Sequence, residues 1–200
     1  LNPAYIDLYQ FHAGDYPLEA AVEVRETLEE LVAAGKIRTY GWSTDSPERA
    51  LLFAEGPNCT AIQHQENVLN DNAPMLLACE DLNLASINRG PLAMGLLTGK
   101  YDAGTTLGGD DVRGINAPAW MKYFKDGKPG PEWMEQLALV REILTAEGHT
   151  LAQGAVAWLW ARSEQTIPIP GFRTVAQVEE NCAALALGPL GAHQMAEIER

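Results

Sequence analysis

Two hydrophobic periodicities alternate along the chain. YIDLYQF (5–11) is an apolar, β-rich run that predicts a strand, and it ends on an imidazole, His12. Ala21, Val24, Leu28, Leu31 and Val32 then recur at helical spacing, closed on the C-terminal side by Gly35. KIRTYGWS (36–43) predicts a second strand. Ser46-Pro47 offers an N-cap with proline in the first turn and opens a helix through Phe53. TAIQHQ (60–65) and LASIN (84–88) predict the third and fourth strands, with a helix around Pro74 to Asp81 between them. From roughly 99 to 131 the periodicity lapses. Glycines at 99, 104, 108, 109, 114, 127 and 130 predict a long irregular loop, a feature that in compact domains is functional or disordered. Trp133, Leu137, Val140 and Leu144 mark another helix. Thr150 and Gln153 have capping-box spacing and start a helix to about Arg162. TIPIP (166–170) is the fifth strand, Thr174 and Gln177 form a second capping box opening a helix to about Leu185, and a short helix closes the chain.

Strand and helix in strict alternation imply parallel strands joined by crossover helices. Five strands are too few to close an eight-stranded barrel, so an open doubly wound sheet is the alternative. No G-x-G-x-x-G follows a first strand, however. Polar residues collect instead just after several strand ends: His12, Ser43, the 90–100 segment and the 171–181 segment. A site drawn from many loops at the strand C-terminal face is the habit of the TIM barrel. The expected fold is therefore α/β, the later part of a (β/α)8 barrel, strands four to eight. It is an incomplete barrel of about five parallel strands, with residues 1–200 in one domain and no dividing linker.

Composition narrows the partners. With 200 residues, 46% hydrophobic and 20% charged, the chain is a globular domain with a sizeable core. A formal net charge of -13 argues against nucleic acid and anionic membrane surfaces. Any anion must be held by local positive charge. No apolar run approaches the ~20 residues of a membrane span, and no signal peptide is visible. The three cysteines, Cys59, Cys79 and Cys182, are odd in number and far apart, which fits reduced thiols in a cytoplasm. No Cys/His grouping has metal-ligand spacing. The first residue is Leu1 rather than Met, so a removed or omitted segment is expected.

Four segments, in order and at matching spacing, resemble the aldo-keto reductase superfamily, in its bacterial branch similar to potassium-channel β-subunits. YIDLYQFH resembles the fourth strand with its active-site histidine, and KIRTYGWS the fifth. GPLAMGLLTGKY (90–101) resembles the loop after the seventh strand. PIPGFRTVAQVEEN (168–181) resembles the eighth strand with the adenine-side coenzyme loop. The resemblance implies a nicotinamide coenzyme, NADP, and metal-free reduction of small aldehydes or ketones. His12 then matches the histidine that orients and polarises the substrate carbonyl. The family's acid tyrosine and its Lys and Asp precede the fourth strand. None of the tyrosines at 5, 9, 16, 40, 101 and 123 matches that acid.

By the same resemblance Ser43 and Gln63 hold the nicotinamide carboxamide. Arg89 stands where relatives stack an aromatic on the nicotinamide, a role its planar guanidinium can keep. Gly90, Pro91, Leu92 and Gly95 form a small-residue turn whose N–H groups approach a pyrophosphate, with Lys100 adding charge. Arg113 matches a position that reaches the adenosine phosphate. Gly171 and Arg173 precede a helix N-terminus, a natural anion site, where Arg173 reads the 2′-phosphate and so favours NADP over NAD. Gln177, Glu180 and Asn181 share one helix face and hold the adenine. The 117–124 segment either covers the pocket mouth, with Trp120 or Tyr123 against substrate, or simply packs. The rivals to a reductase are a coenzyme-binding regulatory or structural subunit without turnover, and an inactive truncated product. Substrate and oligomeric state are left open.

Overall fold

In the computed structural model, residues 4–14 and 16–200 are described. Five parallel strands make one sheet in the order β1-β2-β3-β4-β7: β1 Ile6–Phe11, β2 Ile37–Ser43, β3 Cys59–Gln65, β4 Ala85–Arg89 and β7 Thr166–Pro168. The sheet does not close among the described residues. Each strand lies within two residues of its predicted span. The helices follow the pattern too: α1 Leu18–Ala33, α2 Pro47–Ala54, α3 Ala73–Asp81, α4 Pro131–Leu144, α5 Leu151–Arg162, α6 Val175–Leu187 and α7 Ala192–Ile198. Their ends are set by the residues expected. Ser46 Oγ accepts from Arg49 N, and Thr150 with Gln153 and Thr174 with Gln177 form reciprocal capping pairs. Gly35 takes φ +67 just beyond α1.

The 99–131 stretch departs from the sequence reading. It is not irregular throughout. Phe124–Lys125 (β5) and Lys128–Pro129 (β6) pair antiparallel across Asp126 and Gly127, whose φ values of 52° and 76° fit a two-residue hairpin turn. Tyr101, Met121, Tyr123 and Phe124 in the same stretch are buried.

The chain falls into two compact units. The first holds residues 1–65, 72–89 and 163–167. One face of its sheet carries Tyr40, Trp42 and Ile62, packed under the helices with Phe53 and Met75. Trp42 and Phe53 pack in a tilted pair at 4.5 Å between ring centroids, and Phe11 packs against both. The other face carries Gln10, Gly41, Ser43 and Gln63, as strand alternation and the register Gln10↔Gly41 and Ser43↔Gln63 require. Gly41 sits at a register shift in β2, where a Cβ would lie 2.0 Å from Ala61 O, so only glycine fits.

The second unit holds residues 66–71, 90–162 and 168–200. Its centre is α5, in which every residue from Leu151 to Leu159 is buried. A helix apolar on all sides belongs in a core. Gly154 lets α5 approach the end of α4, since a Cβ there would meet Leu144 O at 1.9 Å. Leu96 and Leu97 pack against the same core. That anchors the turn after β4, from which the candidate site begins.

Candidate active site

In the first unit the polar strand ends form two hydrogen-bonded groups. Ser43 is buried, and its Oγ accepts from Gln63 Nε2 at 3.4 Å. Arg89, at the end of β4, pairs with Asp45, and its Nη1 donates to Gln65 Oε1 at 3.1 Å. Asp45 also accepts from Gln65 N at 2.7 Å. The guanidinium is thus held by acceptors from the end of β3 and from the loop after β2. Asp45 and Gln65 escaped the sequence reading, because neither residue type at those positions signals a ligand. His12 is exposed one residue beyond β1. Strand alternation continued from Gln10 assigns it to the polar face.

In the second unit a cavity of about 410 Å³ opens beside the turn after β4. Every candidate from Gly90 onward lines it: Gly90, Pro91, Leu92, Gly95, Lys100, Arg113, Gly171, Arg173, Gln177, Glu180 and Asn181. The turn is strained by design. Gly90 and Gly95 take φ +66 and +93, and Ala93 and Met94 join them in the left-handed region at +46 and +56, a conformation that costs non-glycine residues and clusters at functional sites. A Cβ on Gly95 would lie 3.3 Å from Arg113 Nη1 and 3.4 Å from Lys100 Cε. The missing side chain therefore lets two cations crowd the same turn. Arg113 is only 8% exposed. Its Nη1 donates to Met94 O at 2.9 Å, and its Nε and Nη2 donate to Asp111, each at 2.7 Å.

Gln177 Oε1 accepts from Arg173 N at 2.7 Å and Thr174 N at 3.3 Å. Its carbonyl is committed to capping α6, and only its amide group faces other partners. Asn181 lines the cavity, and its buried Nδ2 has no acceptor among the described residues. Val112, Ile169 and Phe172 add apolar surface to the lining while each is more than 40% exposed. These were missed, although Phe172 lies within the quoted GFR. Tyr123 is buried, accepts from Asn67 Nδ2 at 2.9 Å and packs on Trp133, which gives it the packing role. Trp120 is 64% exposed.

The profile of the Aldo/keto reductase family matches residues 1–200. The chain belongs to this family. Among its relatives are the Schizosaccharomyces pombe "Aldo-keto reductase yakc [NADP(+)]", 30% identical over 90% of this chain and 52% of that protein, and the Escherichia coli "L-glyceraldehyde 3-phosphate reductase", 29% identical over 98% of this chain and 58% of that protein. Among solved structures the glycerol dehydrogenase AKR11B4 from Gluconobacter oxydans superposes with a TM-score of 0.79 at 25% identity, covering 98% of this chain and 58% of that one. The chain thus spans about half the length of the curated relatives it matches. No helix among the described residues is long and apolar enough to cross a membrane. For an aldo-keto reductase, the cavity presents three cations, glycine-relieved backbone and a helix N-terminus, a donor set suited to a phosphorylated ligand.

Proposed function

We propose that this chain binds NADP(H) and serves the reduction of small aldehydes or ketones. One observation carries the reading. On a chain of net charge -13, Lys100, Arg113 and Arg173 line a single cavity together with the N-terminal turn of α6. A cavity of about 410 Å³ is within the size range of small-molecule sites. Asn181 Nδ2, which has no acceptor among the described residues, and the Gln177 amide supply donors for the ring nitrogens of a base, as the family resemblance assigns. The apolar Phe172 and Val112 supply surface for its face. Ser43, Gln63 and Arg89 are assigned by the same resemblance to the nicotinamide, and the glycine content of the 99–131 loop, with its lapse of apolar period, supports its ordering over the coenzyme.

When bound, the coenzyme supplies hydride. The chain's own contribution is to orient and to polarise. His12 donates a hydrogen bond to the carbonyl oxygen, where negative charge develops as the carbon is reduced. The proton comes from the family's acid tyrosine, for which no tyrosine of these 200 residues is assigned. The test of the coenzyme reading is titration followed by nicotinamide fluorescence. Arg173→Ala should weaken NADPH by about 1.5–3 kcal/mol, the range for a hydrogen bond to a charged group, and leave NADH nearly unchanged. Equal losses for both would remove Arg173 from the 2′-phosphate. Turnover of a simple aldehyde separates a reductase from a coenzyme-binding subunit.

A further inference from the structure

Asp111 places a negative charge among the cations of the cavity, and nothing in the proposed binding role uses it. Its Oδ1 accepts from Arg113 N at 2.9 Å and from Arg113 Nε at 2.7 Å, while Oδ2 accepts from Arg113 Nη2 at 2.7 Å. The pair is mostly out of water, with side-chain exposures of 9% for Arg113 and 20% for Asp111. The side-chain hydrogen bonds from Arg113 pull the carboxyl well below the usual carboxylate range; burial opposes this, and the Arg113 backbone N–H and the charges of Arg113 and Arg173 add to the fall. The carboxylate is therefore ionised, and it feels both arginines that line the cavity. A side-on carboxylate on the guanidinium is also the geometry in which Arg takes a phosphate.

We propose that Asp111 is a specificity-determining residue of this cavity, a resident anion that competes with ligand phosphates for Arg113. It weakens each ligand in proportion to the negative charge that ligand brings. The proposal rests on the reading of the cavity as a site for a phosphorylated coenzyme. Two effects oppose each other when the carboxylate is removed. Arg113 loses its clamp, and re-mobilising one long side chain weakens binding by about two- to tenfold. Against this, a like charge disappears from the neighbourhood of the ligand's phosphates. At an effective dielectric of about 20 and a separation of several ångströms, that repulsion alone exceeds tenfold and grows with ligand charge. The charge effect wins.

The experiment uses the full chain, with adenosine 2′,5′-bisphosphate and 5′-AMP as calorimetric probes. Asp111→Asn keeps an oxygen for Arg113 N and Nε, and removes the charge together with the acceptor of Arg113 Nη2. It should bind the bisphosphate about tenfold tighter and 5′-AMP about threefold tighter, so discrimination between the probes rises. Asp111→Glu, which keeps the charge, should stay near wild type. Should Asp111→Asn lose its cooperative melt, Asp111→Ser removes the same charge and carries the comparison. Equal or weaker binding by the neutral variants, with wild type binding normally, overturns the proposal and leaves Asp111 a mere clamp. If wild type binds neither probe, the cavity reading fails and the proposal fails with it.

Discussion

Gly114→Ala is the sharpest perturbation of the loop that delivers Arg113 to the cavity. A Cβ at Gly114 would lie 1.7 Å from Gly108 O, 2.7 Å from Gly108 C and 3.0 Å from Asp111 O. All three are backbone atoms, so no side chain can swing away. Restoring an ordinary contact requires the turn to open by well over an ångström. That turn is held by Asp111 N donating to Gly108 O at 3.3 Å and Gly114 N donating to Asp111 O at 2.8 Å. Overpacking costs about 1–3 kcal/mol, and each lost turn bond adds about 1 kcal/mol. The added methyl faces backbone carbonyls and gains no compensating burial. The expected loss is about 2–4 kcal/mol in urea unfolding, accompanied by about tenfold weaker bisphosphate binding as Arg113 shifts. Gly104→Ala is the control in the same loop. Its Cβ would meet only Asp102 Oδ1, at 3.5 Å, so stability should hold or rise by about 0.4–1 kcal/mol through the unfolded chain. A Gly114→Ala protein within about 0.5 kcal/mol of wild type, with affinity intact, would refute the idea that this turn holds Arg113 in place.

Two further outcomes follow from the first unit. Burial pushes the Glu29 carboxyl up, but hydrogen bonds from Tyr40 and Asn58 and the charge of Arg25 more than reverse this and hold it below its ordinary 4.5. Its contribution to stability is complete above that ordinary value and disappears as pH falls through the lowered folded value. Glu29→Gln should therefore lower stability near pH 7 and flatten the acid limb of urea midpoints taken down to about pH 3; an unchanged limb would show that Glu29 adds nothing. His12→Gln, assayed with a simple aldehyde and NADPH, should lower kcat by about 10²–10³ while NADPH affinity is kept. A variant that keeps its turnover removes the imidazole from the chemistry, and one that loses only thermal stability makes it structural.

The five strands and the capped helices could be read from the chain because they rest on local signals. Apolar runs of four to seven residues alternate with helical spacing, and Ser46, Thr150 and Thr174 each announce a helix start. The 99–131 stretch was read less well. Its glycines suggested irregularity, yet FKDGKP held a hairpin signal in Asp126-Gly127 that the glycine count obscured. The division into two compact units left no mark in the sequence either, since no linker or change of composition accompanies it. The candidate residues from Gly90 to Asn181 could be singled out because a family pattern covers them, and the structure gathers them round one cavity. Asp45 and Asp111 were not found. Both act through an arginine, and an acidic residue that serves a neighbouring side chain has no spacing of its own to be recognised by. Phe172 and Val112 were passed over because exposed apolar residues in loops are common and mean little singly.

The net charge of the chain and the character of its cavity point in opposite directions, and distance decides between them. At physiological salt, exposed charges farther than about 8–10 Å are largely screened. Most of the 27 acidic residues therefore lower the field felt by a bound anion only slightly. What an anion in the cavity would meet is the lining: Lys100, Arg113 and Arg173 against Glu180, with Asp111 beside Arg113. Partial burial strengthens those few interactions, because a pair near 4 Å is worth several times more at an effective dielectric of about 20 than in water. The positions of the cations are set by uncharged residues. Gly95 makes room for Arg113 and Lys100, Gly114 closes the turn that carries Arg113, and the Thr174–Gln177 cap fixes the helix start beside Arg173. An acidic chain can thus hold an anionic ligand without a basic surface, provided its backbone brings three cations to one cavity. The glycines are as much a part of the site as the charges they position.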